Sequence, residues 1–325
     1  MNSGADPRPS HPLPWQAAAL LPHRPPLLLV ERLVARSGPS CAAAEAILPM
    51  EGLFAGEEGF VAEYFIELVA QTAALGNCYD RALAGAGPGS GMIVGVDGFT
   101  WPGRAPGGSR VAVHTEVAFV FGPMKVVRGE VRLLEEPGCE IGRGGAGEES
   151  GETCRDRQGR LLATGEVKVW EEETLPPQGP AEAAAVVEHA LQAADSAMAA
   201  DLATAFARCS RGWLEESPAP GLRRGRLDCL FPAGFPGFAG HFPGNPILPA
   251  VLQLAAVRHG AGGLLGMAPS PLSWEKVKFK GMIRPGDPLS LSLAMAEEAG
   301  ALVVDFTGKR VDGRTISSGR LRLLR

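Results

Sequence analysis

Aromatic residues are scarce in this chain: 13 Phe, five Trp and two Tyr among 325 residues. That leaves no stacking platform for nucleic-acid bases. There is no excess of positive charge either. Lys and Arg number 31 against 36 Asp and Glu, a net charge of −5, which argues against a nucleic-acid partner. The six cysteines (Cys41, Cys78, Cys139, Cys154, Cys209, Cys229) form no CxxC pair, and no His/Cys/Asp/Glu group has metal-ligand spacing, so no metal is expected. Apolar runs of membrane-spanning length are missing. Residues 17–21 are too short for a targeting segment, lack a basic flank and stop at Pro22. A cytoplasmic protein with reduced thiols and no membrane partner is expected.

Apolar residues make up 45% of the chain, and 325 residues suit two domains or one large one. The helical spacing of Ile66, Val69, Ala70, Ala73 and Ala74 predicts a helix over 59–77, with Gly76-Asn77 as its stop. Strands are predicted over 92–96, 110–121, 125–134 and 160–170. Val167 and Val169 alternate with Glu166 and Lys168, the period of a strand with one wet face. The Gly/Glu-rich stretch 135–159 reads as a long mobile hairpin loop. Its glycines at 142–147 lack the strand-to-helix context of a phosphate loop.

The second half repeats the order. A helix is predicted over 249–259, then strands over 272–280, 289–296, 301–309 and 314–324. Helix then four strands, twice, indicates duplication. The expected units span 15–172 and 212–325, after a flexible tail at 1–14. Between them, 173–211 is a linker ending in an Ala-rich helix at 181–207. An antiparallel sheet wrapped around one long helix is a hotdog-type unit. Two such units pairing edge to edge remove an exposed edge, so the predicted fold is α+β, a double hotdog.

Glycine and proline are plentiful, 43 and 28. They concentrate around one imidazole in Gly240-His241-Phe242-Pro243-Gly244-Asn245-Pro246-Ile247-Leu248-Pro249. Pro249 stands where a helix would start. The segment is built to hold His241 rigidly at a helix mouth.

This loop, followed by Val251-Leu252-Gln253-Leu254, resembles the active-site loop and helix of bacterial 3-hydroxyacyl-ACP dehydratases. Residues 21–32, LPHRPPLLLVER, resemble that family's first-strand signature. Glu67-Leu68-Val69-Ala70-Gln71 resembles its acidic helix motif. Lys276-Val277-Lys278-Phe279 and Ile283-Arg284-Pro285-Gly286-Asp287 resemble its next strand and turn. The pattern is similar to the paired dehydratase subunits of aryl-polyene-type pathways, here fused in one chain.

The resemblance implies a histidine and a carboxylate fourteen positions apart in the motif, meeting across the subunit interface. From His241 that count lands on Ala255, and back from Glu67 it lands on Leu53. The second half therefore keeps the base and lacks the acid, and the first half has the opposite loss. One composite site, His241 with Glu67, is implied, together with a dead mate at Leu53 and Ala255. The resemblance further implies an oxyanion site at the backbone of Ala250 and Val251, where the family has glycine at the first position. It implies substrate contacts at Phe242, Gly244, Pro249 and Gln71, and no cofactor. The activity implied is dehydration of 3-hydroxyacyl thioesters to trans-2-enoyl thioesters, in fatty-acid, aryl-polyene or polyketide-like biosynthesis.

The implied partner is an acyl carrier protein with its phosphopantetheine-linked substrate. An acidic carrier needs a local basic patch. Lys276, Lys278, Lys280, Arg284, Arg223, Arg224 and Arg226 are the candidates, the three lysines sharing one strand face. The units form an intramolecular pseudo-dimer, with further homo-oligomers left open. Glu63, one turn before Glu67, is the alternative acid. Gln71 favours Glu67 because it completes the motif. His23 is expected to be structural, and His114, His189 and His259 are given no role. A hotdog thioesterase, an enoyl-CoA hydratase and a non-catalytic acyl-binding module are the competing functions.

Overall fold

A computed structural model describes residues 13–56, 59–87, 89–135, 159–172, 201–215 and 221–324. The expected tail, most of the hairpin loop with Cys139 and Cys154, and most of the linker with its Ala-rich helix lie outside the described residues. Each half holds two strands, a long helix and four strands, and the first half adds the two-residue strands Trp15–Gln16, Ala55–Gly56 and Gly59–Phe60, of which Trp15–Gln16 joins the main sheet. In the first, a short helix α1 (Ala17–Leu20) precedes strands Arg32–Ser37 and Cys41–Ile47. Helix α2 (Tyr64–Leu83) follows, then strands Ser90–Thr100, Arg110–Phe121, Met124–Glu135 and Arg160–Glu172. The second half opens with α3 (Leu202–Cys209) and strands Ser210–Glu215 and Arg223–Leu230. Helix α4 (Ala250–Leu265) leads to strands Pro271–Phe279, Pro288–Glu298, Ala301–Arg310 and Thr315–Leu323.

All the long strands join one 13-stranded sheet. The halves meet where Ser90–Thr100 pairs antiparallel with Pro271–Phe279, with Trp274 opposite Phe99 and Val277 opposite Val96. Trp274 and Phe99 are fully buried, so the seam is core rather than surface. The free edge that each unit would expose alone is thereby paired. The α+β double hotdog is borne out. Both central helices pack on the sheet within one continuous hydrophobic cluster.

Three expectations need correction. The helix predicted over 59–77 begins only at Tyr64, after a two-residue strand at Gly59–Phe60, and runs past Gly76-Asn77 to Leu83. A Cβ at Gly76 would stand 2.8 Å from the Cβ of Ala42, so this glycine serves close helix–strand approach, not termination. The left-handed Gly85, at φ 69°, follows the helix end. Likewise α4 continues past His259 to Leu265, and Gly266 at φ 72° closes it.

Residues 21–31 are not a strand; the N–H of Glu31 donates to the carbonyl of Glu45, and the strand begins at Arg32. Pro22, Pro25 and Pro26 lack N–H donors. The backbone of Leu27 and Leu29 bonds to the side chain of Gln71 instead of to a neighbouring strand.

The strand pairs before each helix were missed. Cys41–Ile47 is alanine-rich, a composition that suits helices. In Arg223–Leu230 the buried Gly225, Leu227 and Cys229 alternate at period two, a signal hidden beneath its charge.

Candidate active site

Glu67 lies in the first turn of α2, on a face that continues through Ala70, Ala73, Ala74 and Asn77. Small side chains at that spacing leave room instead of filling it. A cavity of about 390 Å³ opens along the helix, walled by Val127, Val169 and Phe279 among others. Glu67 and Gln71 line it from the first unit, and His241, Ile247, Ala250 and Gln253 from the second.

The histidine loop is clamped against the first unit. Gly240 sits at φ 76°, and a Cβ there would fall 1.9 Å from the carbonyl oxygen of Arg24. The amide of Arg24 donates to the carbonyl of Gly240 at 3.0 Å. Only glycine permits that contact. The Nδ1 of His241 lies 3.0 Å from the carbonyl oxygen of Ile247. A carbonyl only accepts, so the network assigns the ring proton to Nδ1 and leaves Nε2 with a free lone pair.

Glu67 and His241, 174 positions apart in sequence, bring ligand-type atoms within 4.8 Å of each other, and His23 joins them. The Nε2 of His23 is 3.8 Å from Oε1 of Glu67. All three residues are buried. His23 was expected to be structural, and the structure places it in the cluster. Its position follows from the turn at residues 22–26 packing under the histidine loop, a contact without a sequence period. Gln253 was also given no role. It lines the cavity, and its buried Oε1 has no hydrogen-bond partner among the described residues.

Burial drives the two central groups in opposite directions. Desolvation pushes the carboxyl of Glu67 up to about 7, against the smaller effect of the Gln71 hydrogen bond. Desolvation pushes His241 down to about 4, opposed by its bond to Ile247. His23 is held well below the ordinary imidazole value, by burial first and then by the charges of His241 and Arg24. At neutral pH the site therefore holds neutral imidazoles beside a carboxyl able to keep its proton.

The other expected residues divide. Gln71 holds Glu67, donating Nε2–H to Oε1 at 3.0 Å. Phe242, Gly244 and Pro249 shape the loop and do not line the cavity. Phe242 stacks on His241 at 4.3 Å, Gly244 takes the turn at φ 82°, and the carbonyl of Pro249 accepts from Leu252. At the start of α4, Ala250 faces the cavity and Val251 is fully buried beside it. Glu63 is also fully buried, ion-paired with Arg258, and outside the cavity lining. Leu53 and Ala255 are buried and apolar, with no acid–base pair between them.

The basic candidates do not form one patch. Lys276, Lys278 and Lys280 are exposed in alternation with buried Val277 and Phe279. The strand is bulged between Glu275 and Lys278, and Lys276 takes φ 52° there. Lys280 lines the cavity, and Arg284 donates to Asn245 of the histidine loop. Arg223 and Arg224 lie four strands further along the sheet, about 19 Å at the usual strand spacing. Arg223 caps α4 through the carbonyl of Leu264, and Arg226 lies over Trp213.

His23, Glu67 and His241 are the one group of metal-ligand type among the described residues. Within it, Nε2 of His23 and Oε1 of Glu67 stand 3.8 Å apart, beyond the roughly 3.3 Å that tetrahedral bonds of about 2.0 Å impose. Cys41, Cys78, Cys209 and Cys229 are free thiols. No helix of the described residues is long and apolar enough to cross a membrane.

Two family models match the chain. The ApeI-like model, ApeI dehydratase, matches residues 222–320, and the ApeP-like model, ApeP dehydratase, matches residues 15–133. The 3-hydroxyacyl-[acyl-carrier-protein] dehydratase FabZ of Oenococcus oeni is 37% identical over 94 residues, covering 27% of this chain and 68% of that protein. The FabZ of Chlamydia trachomatis is 40% identical over 89 residues, covering 23% of this chain. The match spans 58% of that relative's length. Among solved structures, a Lactobacillus plantarum protein described as an oleoyl thioesterase superposes with a TM-score of 0.50 at 6% identity, covering 88% of this chain and 95% of that one. At that identity the likeness shows the fold alone.

Proposed function

This chain belongs to the hotdog dehydratase family, with its paired subunits fused, and from that premise we propose that it dehydrates 3-hydroxyacyl thioesters carried by acyl carrier protein. The observation that carries the proposal is the meeting of Glu67 and His241 from opposite halves in one cavity, with opposite pKa displacements. The products are a trans-2-enoyl thioester and water.

In the proposed reaction, Nε2 of His241 takes the C2 proton of the substrate. Its hydrogen bond to Ile247 holds the ring in the tautomer that can accept. Glu67 gives its proton to the C3 hydroxyl, which departs as water. The enolate-like charge at the thioester oxygen is met by the first amides of α4, at Ala250 and Val251, which have no intrahelical acceptor. His241 pushed to about 4 is a weak base at rest. The carboxylate forming at Glu67 favours the nearby imidazolium and offsets that weakness. Proton transfer from His241 back to Glu67 then resets the site, and the proton count balances.

The setting proposed is the cytoplasm, in fatty-acid or aryl-polyene biosynthesis. The test incubates the purified full chain with a 3-hydroxyacyl carrier protein and follows the enoyl thioester by mass spectrometry. Enoyl product that disappears in Glu67→Gln supports the proposal. Release of free acid instead makes the chain a thioesterase. A preference for the acyl-CoA substrate makes it a hydratase-type enzyme.

A further inference from the structure

We infer that His23 is a positioning residue for Glu67: its Nε2–H directs the acid proton to Oε2 and supports the carboxylate as that proton leaves. The inference rests on the proposed dehydratase reading and adds a third residue to it.

The tautomer follows from the surroundings. Nδ1 of His23 is buried and has no hydrogen-bond partner. A buried N–H without an acceptor is rarer and costlier than a buried lone pair. The proton of the neutral ring therefore sits on Nε2, the nitrogen 3.8 Å from Oε1 of Glu67. Gln71 already donates to this same oxygen at 3.0 Å. Gln71 donates to Oε1 and the nearby Nε2 of His23 faces the same oxygen, so Oε1 acts as the acceptor and Oε2 carries the proton.

At 3.8 Å the His23 contact is not yet a hydrogen bond. A shift of less than 1 Å, roughly, closes it as charge develops on the carboxylate. The ring is placed for that shift, packed 5.0 Å from Phe242 and 5.4 Å from His241, centroid to centroid. Burial keeps it neutral, so it supports the carboxylate without adding a cation against the imidazolium of His241.

The groups facing Glu67 are His23 from the segment before the first strand pair, His241 from the second unit's loop and Gln71 from its own helix. Arg36, Lys125, Glu171 and Lys280 are the other charged groups lining the cavity, and Arg24 acts on His23.

Infrared difference spectroscopy of the full chain titrates the protonated-carboxyl band of Glu67, identified by its loss in Glu67→Gln. His23→Phe keeps the ring packing and removes the donor. Its midpoint is expected to rise by about one to two pH units, the worth of a hydrogen bond to a charged group. His23→Gln restores a donor and is expected to bring the midpoint back. On the carrier-bound substrate, kcat falls about tenfold or more in His23→Phe with KM little changed, and His23→Gln recovers most of it.

A midpoint that stays or falls in His23→Phe overturns the inference. His23→Leu provides the same test if His23→Phe does not fold. The titration needs no turnover. An unmoved midpoint in an active dehydratase therefore defeats this inference alone, and a raised midpoint in a chain that dehydrates nothing defeats the dehydratase reading alone.

Discussion

Arg258 of α4 donates its Nε–H to both carboxylate oxygens of Glu63, at 3.0 and 3.2 Å, across the boundary between the two halves. The pair binds the two central helices together one turn from Ala255. It also separates the two candidate acids. Glu63 has its carboxylate engaged by a cation. Glu67, four residues on, faces the cavity with no cation beside it.

Glu63→Gln is expected to destabilise the chain by about 1–3 kcal/mol, because it removes the charge that pairs with the half-buried guanidinium of Arg258. The molecules that remain folded should keep near-normal turnover. Denaturant unfolding and kcat per folded molecule check this. A loss of turnover matching that of Glu67→Gln would move the acid to Glu63.

His241→Ala and Glu67→Gln are each expected to lower kcat about 10²–10⁴-fold while the fold persists. Groups that act as one unit are not additive, so the double variant should be little worse than either single one. Enoyl formation, with circular dichroism as the fold control, measures it. Multiplicative losses would mean that the two act in separate steps.

The pH dependence follows from the two displacements. Glu67 works protonated, so activity should fall as pH rises through about 7. His241 works neutral, so activity should fall as pH drops through about 4. Stability carries the same signs. The raised carboxyl of Glu67 contributes stability that is complete below its ordinary value and lost as pH rises through about 7. Glu67→Gln removes that penalty and should melt higher than wild type at pH 8, by up to about 3 kcal/mol, with little difference at pH 4. Equal melting at pH 8 would mean that the carboxyl is not desolvated.

Neutralising Lys276 and Lys278 together is expected to weaken association with acyl carrier protein, most at low salt, and to leave a small free thioester unaffected. Arg284 is left intact in this test because its bond to Asn245 supports the histidine loop. Binding titrations at two salt concentrations read the effect. Unchanged binding would place the carrier elsewhere, with Arg223 and Arg224, on their distant strand, tested next.

Much of this protein was legible in its sequence because local patterns encode local geometry. Apolar spacing marked both central helices and the four strands after each, and the recurrence of that order marked the duplication. The density of Gly and Pro around His241 marked a rigid loop, since those residues restrict the backbone wherever they stand. The resemblance to the dehydratases, with Leu53 and Ala255 at the positions where a second base and acid would stand, implied the composite site of Glu67 and His241 that is proposed above. Tertiary structure decided what depends on contact between distant segments. Gly76 reads as a stop in isolation, yet Ala42, 34 residues earlier, makes it a packing glycine inside a helix. Glu63 and Glu67 are alike in sequence, and Arg258 and the cavity distinguish them. His23 follows a proline in a segment without helical or strand period, so only its placement against Glu67 and His241 reveals it. Desolvation is likewise a property of the assembled core. Burial on all sides, which no stretch of chain possesses alone, raises the carboxyl and lowers the imidazole in one cavity.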